Sequence, residues 1–243
     1  MRGVTTQMGG RRIHDKIDLD IVEGEIFALV GGSGTGKTTL MHEMIMLRKP
    51  DAGAVQLLGK DLATIASAER QVLRKQFGVL FQNGALFSSL TVLENVGFPL
   101  REHTLLDNEL IDSVARVKIM QAGLPADAAF LYPRELSGGM IKRAALARAM
   151  ALDPKILFLD EPTSGLDPHS ASAFDDLVLR MKQWFGLTVV MVTHDLDTLW
   201  QAADRVAVLG ESRLLGMGDM DSLSCESHPL ISRFFEGPRA RQR

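Results

Sequence analysis

The sequence predicts an α/β protein whose parallel sheet is buried on both faces, and three observations lead to this fold class. Short continuous apolar runs, typical of central parallel strands, occur at residues 26–30, 77–81, 156–159 and 188–192. Helical spacing of apolar residues occurs between them, at residues 39–47, 91–100, 107–123 and 140–151. Glycine-rich or polar residues follow the runs directly, and open α/β sheets bind ligands at that edge.

A glycine-rich loop joins the first apolar run to the first helical stretch. It satisfies G-x-x-x-x-G-K-[ST] and consists of Gly31, Gly32, Ser33, Gly34, Thr35, Gly36, Lys37, Thr38 and Thr39. Its glycines let the backbone wrap around phosphates, Lys37 supplies a charge for the β and γ oxygens, and the Thr38 hydroxyl can ligate Mg²⁺. The alternative is an ordinary glycine-rich turn. The strand before the loop and the helix after it favour a nucleotide-binding loop.

Composition and charge limit the classes of protein to which this sequence can belong. The 243 residues are 46% hydrophobic and 6% aromatic, as in an ordinary globular protein of one large domain or two small ones. A net charge of −3 argues against a nucleic-acid partner, because such binding depends on clustered Lys and Arg. The single cysteine, Cys225, excludes an intramolecular disulfide, and no apolar stretch approaches membrane-spanning length. We therefore expect a cytoplasmic protein with any membrane role supplied by a partner.

The other stretches predict smaller elements. Residues 13–30 alternate well enough to predict a hairpin-like sheet that turns at Glu23 and Gly24, and residues 54–57 predict a strand of a small antiparallel layer. Residues 67–75 predict a helix. Residues 205–209 and 213–217 predict a final hairpin, which leaves a tail from residue 227 to residue 243.

The apolar runs end in residues whose order is informative: Gly31, Gln82, Asp160 with Glu161, and His194. In this order the sequence resembles the ATP-binding subunits of ABC transporters over nearly its whole length. The motifs are the P-loop (31–38), the Q-loop glutamine, the signature (136–140), the Walker B stretch (156–161), the D-loop (164–167) and the switch histidine.

The resemblance implies an architecture. An ABC ATPase domain is expected at 1–226, with a RecA-like P-loop NTPase core and an antiparallel β-subdomain over about 1–90 and 154–226. An inserted helical subdomain is expected at about 91–153, and a C-terminal extension at 227–243.

The chemistry of ATP hydrolysis gives each motif a role. Asp160 suits the Mg²⁺ shell, and Glu161 is the candidate general base for the attacking water, although an acidic pair can also simply cap a helix. The resemblance implies that Gln82 contacts Mg²⁺ and the water, and that His194 donates a hydrogen bond to the γ-phosphate. Taken singly, Gln82 could be a turn residue and His194 an ordinary buried histidine.

A second anion site is predicted at the signature, where Ser137, Gly138 and Gly139 open a helix. A serine N-cap on an ordinary helix is compatible with the same residues. The resemblance implies a homodimer that holds two ATP molecules, each between the P-loop of one subunit and the signature of the other, with Asp167 in the D-loop. Two residues depart from the family pattern: Met140 replaces the usual signature glutamine, and the Met8 region lacks the aromatic that stacks on adenine.

The stretch around Gln82 narrows the resemblance to one subgroup. Residues 80–87 and 90–104, the Met140 helix and the tail look like the ATPases of maintenance-of-lipid-asymmetry (Mla) and MCE-type phospholipid transporters. That subgroup implies permease subunits, an MCE-domain lipid-binding protein, and a place on the cytoplasmic face of the bacterial inner membrane. A groove for the permease is expected near residues 87–101, whose apolar side chains could equally be subdomain core. A solute importer ATPase for amino acids or similar nutrients, and a non-transport ABC ATPase, remain as alternatives.

Overall fold

A computed structural model describes residues 1–235 of the chain. The chain divides into two compact units, the first formed by Met1–Arg74 with Val190–Arg243 and the second by Lys75–Val189. Whether the predicted helical subdomain at 91–153 is a separate domain stays a prediction.

The strands and helices are given in chain order. Within residues 1–235 the strands are β1 (Arg2–Met8), β2 (Arg11–Ile17), β3 (Ile26–Gly31), β4 (Ala52–Ala54), β5 (Gln56–Leu57), β6 (Lys60–Asp61), β7 (Phe77–Leu80), β8 (Ile156–Asp160), β9 (Thr188–Val192), β10 (Arg205–Gly210) and β11 (Arg213–Gly218). The α-helices there are α1 (Lys37–Met44), α2 (Ser67–Arg74), α3 (Val92–His103), α4 (Asn108–Gln121), α5 (Gly138–Ala149), α6 (Pro168–Phe185), α7 (Leu196–Ala202), α8 (Met220–Ser224) and α9 (Pro229–Phe235).

The first unit contains the P-loop strand and a small antiparallel sheet. Strand β3 is buried at every position and runs parallel to β10, which pairs antiparallel with β11. The small sheet has the order β2-β1-β4. The predicted buried strand at 26–30, a small antiparallel layer and the final hairpin are therefore confirmed. The single strand predicted at 54–57 is wrong, because Ala54 ends β4, Val55 lies in no strand, and Gln56–Leu57 forms β5, which pairs with β6.

The hairpin predicted over residues 13–30 is wrong. Strand β2 ends at Ile17 and pairs with β1, whereas β3 pairs with β10. Residues 18–25 form no strand, so the apolar alternation of β2 does not continue into β3. Strand β2 also contains a bulge: Lys16 has a φ of 54°, and the β1–β2 register shifts between Val4 and Thr6. One extra residue on β2 reverses the alternation beyond it, so both His14 and Ile17 are buried.

The second unit combines two parallel strands with a group of helices. Strand β7 pairs with β8 in parallel, from Phe77 opposite Ile156 to Leu80 opposite Leu159. Helices α3, α4 and α5 pack on one another. A capping box starts α3, where the Thr91 side chain accepts from the Glu94 amide and the Glu94 carboxylate accepts from Thr91. These strands and helices confirm the elements predicted from periodicity.

The described part of the C-terminal extension packs on its own chain. Phe234 and Phe235 lie against a core cluster of the first unit that includes Val30, Val208 and Ile231. Residues 236–243, with the arginines at 239, 241 and 243, lie outside the described residues. No helix within residues 1–235 has the length and apolar character needed to cross a membrane.

Candidate functional site

The P-loop joins β3 to α1 in the first unit. Gly31 ends the strand with a φ of 145°, and a Cβ there would lie 2.2 Å from the Leu209 carbonyl oxygen, so only glycine fits. Gly36 is the N-cap of α1 and has a left-handed φ of 92°. The Lys37 ammonium donates to the carbonyls of Gly31 (2.9 Å) and Gly32 (3.0 Å), which holds the charge inside the loop.

This loop has the donors that a phosphate chain requires. The first amides of α1 point out of the helix start, the positive end of its dipole lies there, and the Lys37 charge is adjacent. Gly32, Ser33 and Gly34 are exposed, whereas Thr38 and Thr39 are half-buried. The predicted binding residues from Gly31 to Thr39 are thus together on one loop and helix start, and an anion can approach them.

His194 follows β9, and its segment is attached to the P-loop strand. The Thr193 amide donates to the Leu29 carbonyl (3.3 Å), two residues before Gly31. His194 is exposed, and Asp195 after it is the N-cap of α7. The structure therefore connects this histidine to the strand that carries the loop.

The second unit holds the predicted catalytic carboxylates and the Q-loop glutamine. Strand β8 ends at Asp160, which is 5% exposed, and Glu161 follows with a left-handed φ of 48°. Gln82 follows the neighbouring parallel strand β7 and is exposed. Because parallel neighbours end at the same edge of a sheet, these three residues share that edge, as the sequence predicted.

Lys142 connects these predicted residues and was missed by the sequence analysis. It lies on α5 and is 5% exposed, and its ammonium donates to the carbonyls of Gln82 and of Glu161, the latter at 2.9 Å. Burial lowers the pKa of Lys142, whereas the nearby carboxylates of Glu161 and Asp160 raise it. Two carbonyl acceptors compensate a buried ammonium that would otherwise be costly.

Arg148 lies about one and a half turns beyond Lys142 on α5 and also donates to backbone carbonyls. Its guanidinium donates to the carbonyls of Gly84 (2.8 Å) and Ala85 (2.7 Å). Helix α5 therefore binds the backbone of the Q-loop at three carbonyls in total. The only signal in the sequence was the presence of basic residues in an alanine-rich helix, and it does not reveal which of them are buried.

The signature and D-loop residues are helix caps in this structure. Ser137 is the N-cap of α5 and accepts from the Met140 amide (3.3 Å); Ser137 and Gly138 are exposed, and Gly139 is half-buried. Asp167 is the N-cap of α6, and hydrogen bonds from the Ser170 hydroxyl and amide lower its pKa. Capping leaves the amides at the start of α5 available to a partner's phosphate, so both interpretations of Ser137 remain compatible.

Met8 lies beside the P-loop helix. It is 45% exposed, and its sulfur accepts a hydrogen bond from the Thr39 hydroxyl at 3.7 Å. The chain therefore presents a flexible thioether next to the loop.

Oxygen donors suited to Mg²⁺ are present in both units. The Thr38 hydroxyl lies in the first turn of α1, and the Asp160 carboxylate lies at the end of β8. Hydroxyl and carboxylate oxygens are the ligands that Mg²⁺ prefers, so each of these side chains by itself suits this ion. Among residues 1–235 no cluster of three or more His, Cys, Asp or Glu could itself hold a metal.

A buried parallel strand, this loop and the helix start after it define the class: the chain is an α/β nucleotide-binding protein of the P-loop type. A family model described as "ABC transporter" matches residues 14–164. The chain belongs to the ABC transporter family, in which it is an ATP-binding and ATP-hydrolysing subunit.

Relatives align over nearly the whole chain. The intermembrane phospholipid transport system ATP-binding protein MlaF of Escherichia coli is 38% identical over 98% of this chain and 88% of its own length. MlaF of Haemophilus influenzae is 37% identical over 98% and 89%. The probable ribonucleotide transport ATP-binding protein mkl of Mycobacterium leprae is 37% identical over 98% of this chain and 69% of its own length.

Solved structures give the same fold. A dimeric post-hydrolysis state of the ATP-binding cassette MJ0796, bound to ADP and Pi, superposes with a TM-score of 0.82 at 30% identity and covers 90% of this chain and 97% of that one. CbiO1 from Clostridium perfringens, part of the transporter complex cbiONQ, gives 0.83 at 28% identity and covers 98% and 94%. The predicted fold class is thereby confirmed.

Proposed function

We propose that this chain is the ATPase subunit that energises phospholipid transport between the inner and outer membranes of a bacterium. The observation that carries this proposal is the alignment with MlaF, which spans 98% of this chain and 88–89% of the relatives. Alignment over nearly the full length of both proteins means that the segments around the Q-loop and at the C-terminus are compared as well as the general nucleotide motifs.

The first unit supplies the phosphate-binding groups in this proposal. The α1 amides and Lys37 hold the β and γ phosphates, and Thr38 is one ligand of the Mg²⁺ ion, with Asp160 and Gln82 as the others. Mg²⁺ supplies charge neutralisation at the phosphate oxygens. Lys37 is restrained by its own loop carbonyls, so little side-chain entropy is lost when phosphate binds.

The second unit supplies the base for hydrolysis. The Glu161 carboxylate polarises the attacking water and accepts its proton, while His194 of the first unit donates a hydrogen bond to the γ-phosphate. Lys142 fixes the backbone of Glu161 and Gln82 without touching substrate, so it acts as a positioning residue.

The signature supplies the second half of each ATP site across a homodimer. Ser137, Gly138 and Gly139 present helix-start amides to the γ-phosphate bound by the other subunit, with Asp167 at the same interface. The dimeric MJ0796 cassettes, at 30% identity, support a homodimer.

The remaining partners follow from the same comparison with the phospholipid systems. Two copies would dock beneath permease subunits on the cytoplasmic face of the inner membrane, with an MCE-domain lipid-binding protein completing the assembly. Phe87 is 45% exposed and packs on Phe98, with ring centroids 4.8 Å apart, so it offers apolar surface to a permease helix. Most of the apolar residues of α3 are buried, which favours a core role for that part of the predicted groove.

A solute transporter is the second candidate, because the mkl relatives named for probable ribonucleotide transport are 36–37% identical to this chain. Those relatives have about a third of their length outside the alignment, which makes them the weaker guide. A non-transport ABC ATPase is the third, and recovery of the chain without membrane partners would favour it.

The test is to purify the tagged chain from solubilised membranes of its source cells and to identify associated subunits and lipids by mass spectrometry. The complex is then reconstituted, and ATP hydrolysis is measured with phospholipid, with ribonucleotides and with amino acids. The Glu161→Gln complex gives the background rate. We expect a permease, an MCE-domain protein and stimulation by phospholipid; stimulation by a soluble solute alone would contradict the proposal.

A further inference from the structure

A chain of buried polar side chains reaches the P-loop from its inner side. The His14 ring has Nε2 at 3.2 Å from the Gly36 carbonyl oxygen and Nδ1 at 3.0 Å from the Thr6 hydroxyl. That hydroxyl lies 2.7 Å from a carboxyl oxygen of Glu43. Thr6 and His14 are 0% exposed and Glu43 is 1% exposed, so water does not compete for these hydrogen bonds.

The strand register brings these residues together. Thr6 on β1 lies opposite His14 on β2, just beyond the bulge that turns His14 to the buried face. Glu43 projects from the last turn of α1. The fit is tight at the loop, because a Cβ on Gly36 would lie 2.4 Å from His14 Nε2.

The number of hydrogens available restricts the protonation states of these three side chains. The Gly36 carbonyl can only accept, so His14 Nε2 must carry a hydrogen. If the ring is neutral, Nδ1 accepts from the Thr6 hydroxyl, and the single hydroxyl hydrogen is then used. Thr6 must in turn accept from Glu43, which requires a protonated carboxyl group.

One other state with the same number of hydrogens makes all three hydrogen bonds. A doubly protonated His14 donates from Nδ1 to Thr6, and Thr6 donates to an ionised Glu43. Both states hold the same number of hydrogens, and they differ only in where one proton lies. Loss of that proton leaves one hydrogen too few, so one of the three hydrogen bonds must break.

The surroundings favour the neutral pair. Burial raises the pKa of Glu43 to about 7, opposed by the Thr6 hydrogen bond and by Arg48, while Asp51 raises it further. Burial also lowers the pKa of His14, opposed by its bond to Gly36, and Arg48 lowers it further. The second Glu43 oxygen, Oε2, is buried without a hydrogen-bond partner, which makes an ionised carboxylate costly.

We propose that His14 is a positioning residue for nucleotide binding, which holds the Gly36 carbonyl only while the proton that it shares through Thr6 with Glu43 is retained. Gly36 directly precedes Lys37, and its carbonyl also accepts from the Leu40 amide in the first turn of α1 (2.8 Å). When the shared proton leaves, Thr6 donates to the carboxylate, Nδ1 of His14 takes the ring hydrogen, and Nε2 faces Gly36 as a second acceptor. Repulsion between the two acceptors then disturbs the backbone beside Lys37.

The proposal is tested by measuring the affinity of the full chain for MgATP by titration calorimetry between pH 6 and pH 9. We expect the wild-type affinity to fall about three- to tenfold through neutral pH, whereas the affinity of Glu43→Gln changes far less. The glutamine amide donates to Thr6 at every pH and so retains the hydrogen bond of His14 to Gly36. Because ATP titrates in the same way in both experiments, its protonation does not contribute to the difference in affinity between the two proteins.

Two further variants separate positioning from folding. Thr6→Val removes the hydroxyl that connects the two ionisable groups, so its MgATP affinity should not fall through neutral pH. Glu23→Gln removes an exposed carboxylate of the same unit, and its MgATP affinity should fall as in wild type. Thermal unfolding at each pH checks that every variant is folded. An equal fall in MgATP affinity with rising pH in wild type and in Glu43→Gln would overturn the proposal.

A second measurement does not depend on nucleotide. Nitrogen chemical shifts of the His14 ring in the nucleotide-free chain report which nitrogen carries hydrogen. We expect hydrogen on Nε2 at pH 6 and a change of tautomer in wild type, but not in Glu43→Gln, as the pH rises to 9. A ring protonated only on Nδ1 at pH 6 would reject the proposal even if ATP binds normally, whereas failure of the P-loop assignment would appear as ATP binding that survives Lys37→Ala.

Discussion

Burial affects two ionisable side chains of this protein in different ways. Burial lowers the pKa of Lys142, and two backbone carbonyls that accept from its ammonium offset part of the cost of removing water. Glu43 has one carboxyl oxygen with no hydrogen-bond partner, and burial raises the pKa of this side chain to about 7. Both have a measurable consequence. The Lys142 hydrogen bonds restrain the backbone of other residues, and the raised pKa of Glu43 makes stability depend on pH.

Glu43→Gln should be more stable than wild type above neutral pH. The folded state raises the pKa of Glu43 from 4.5 to about 7, so the folded protein binds the proton more tightly than the unfolded chain. Stability therefore falls as pH rises from about 4.5 to about 7 and is then constant, with a total loss of roughly 3 kcal/mol. The lowered pKa of His14 acts in the opposite direction below pH 6.5, so the comparison is made at pH 8.5.

Urea unfolding at pH 8.5 measures this gain, which we expect to be on the order of 2–3 kcal/mol for Glu43→Gln. Glu23→Gln, at an exposed position, should change the free energy of unfolding by less than about 0.5 kcal/mol. A Glu43→Gln protein less stable than wild type at this pH would mean that the buried carboxyl group is ionised and paired.

Lys37→Ala should lose nucleotide affinity while the fold remains. The substitution removes a charge-assisted hydrogen-bond donor, worth roughly 1.5–3 kcal/mol, so the dissociation constant for MgATP should rise at least about tenfold. Calorimetric titration measures the binding, and circular dichroism checks the fold. Lys49→Ala is the matched control, because Lys49 is an exposed lysine of the same unit. Unchanged affinity in Lys37→Ala would remove the loop from its assigned role.

At the scale of elements, the sequence predicted the buried strands because central parallel strands are continuously apolar, as in β3, β8 and β9. It missed β1, whose sequence RGVTTQM places Thr6 rather than an aliphatic residue at a buried position. It also missed the bulge at Lys16, because a positive φ at lysine has no sequence signature. That bulge turns His14 inward, so the buried polar chain behind the P-loop could not be predicted from alternation.

Helix α5 illustrates the same limit for the candidate site. Its start was predicted from Ser137 and the glycines after it, because these residue types cap helices and bind anions. The contacts of its basic residues were not predicted, because a lysine on a helix is usually exposed. Only the packing of the second unit shows that Lys142 and Arg148 bind Q-loop carbonyls.

Lys142→Met should reduce turnover more than nucleotide binding. Methionine keeps the length and apolar stem of the side chain but cannot donate to the carbonyls of Gln82 and Glu161. We expect kcat for ATP hydrolysis to fall about 10- to 100-fold with less than a threefold change in KM, because misplacement of a general base affects mainly the chemical step. Steady-state kinetics measure both constants.

Lys142→Arg tests whether the hydrogen bonds themselves matter. Arginine retains donors for both carbonyls, so it should recover a substantial part of the lost kcat. Lys155→Met, at an exposed position before β8 in the same unit, should leave both constants near wild type. If Lys142→Met is folded and turns over ATP at the wild-type rate, the contact has no positioning role.

At the scale of the whole molecule, the chain contains two helix starts that can bind anions, one in each compact unit. Both helix starts were predicted from the sequence, because each follows or includes a glycine-rich segment. The sequence pattern alone does not say whether both serve one nucleotide, and the inference that they do so across a dimer comes from the family. This inference makes the oligomeric state depend on nucleotide, which is a property of the molecule that can be measured directly.

Glu161→Gln should convert the chain from monomer to dimer when MgATP is added. The substitution removes the general base but keeps the residue's size and polar character, so ATP binds and is not hydrolysed. Two ATP molecules then hold the subunits together, and light scattering after size exclusion should give twice the mass of 26.6 kDa. The double variant with Lys37→Ala should remain monomeric, because it lacks the charge that binds phosphate. A Glu161→Gln protein that binds MgATP and stays monomeric, also in the presence of its copurified membrane partners, would contradict the assignment of Ser137, Gly138 and Gly139 to the ATP site of a second subunit.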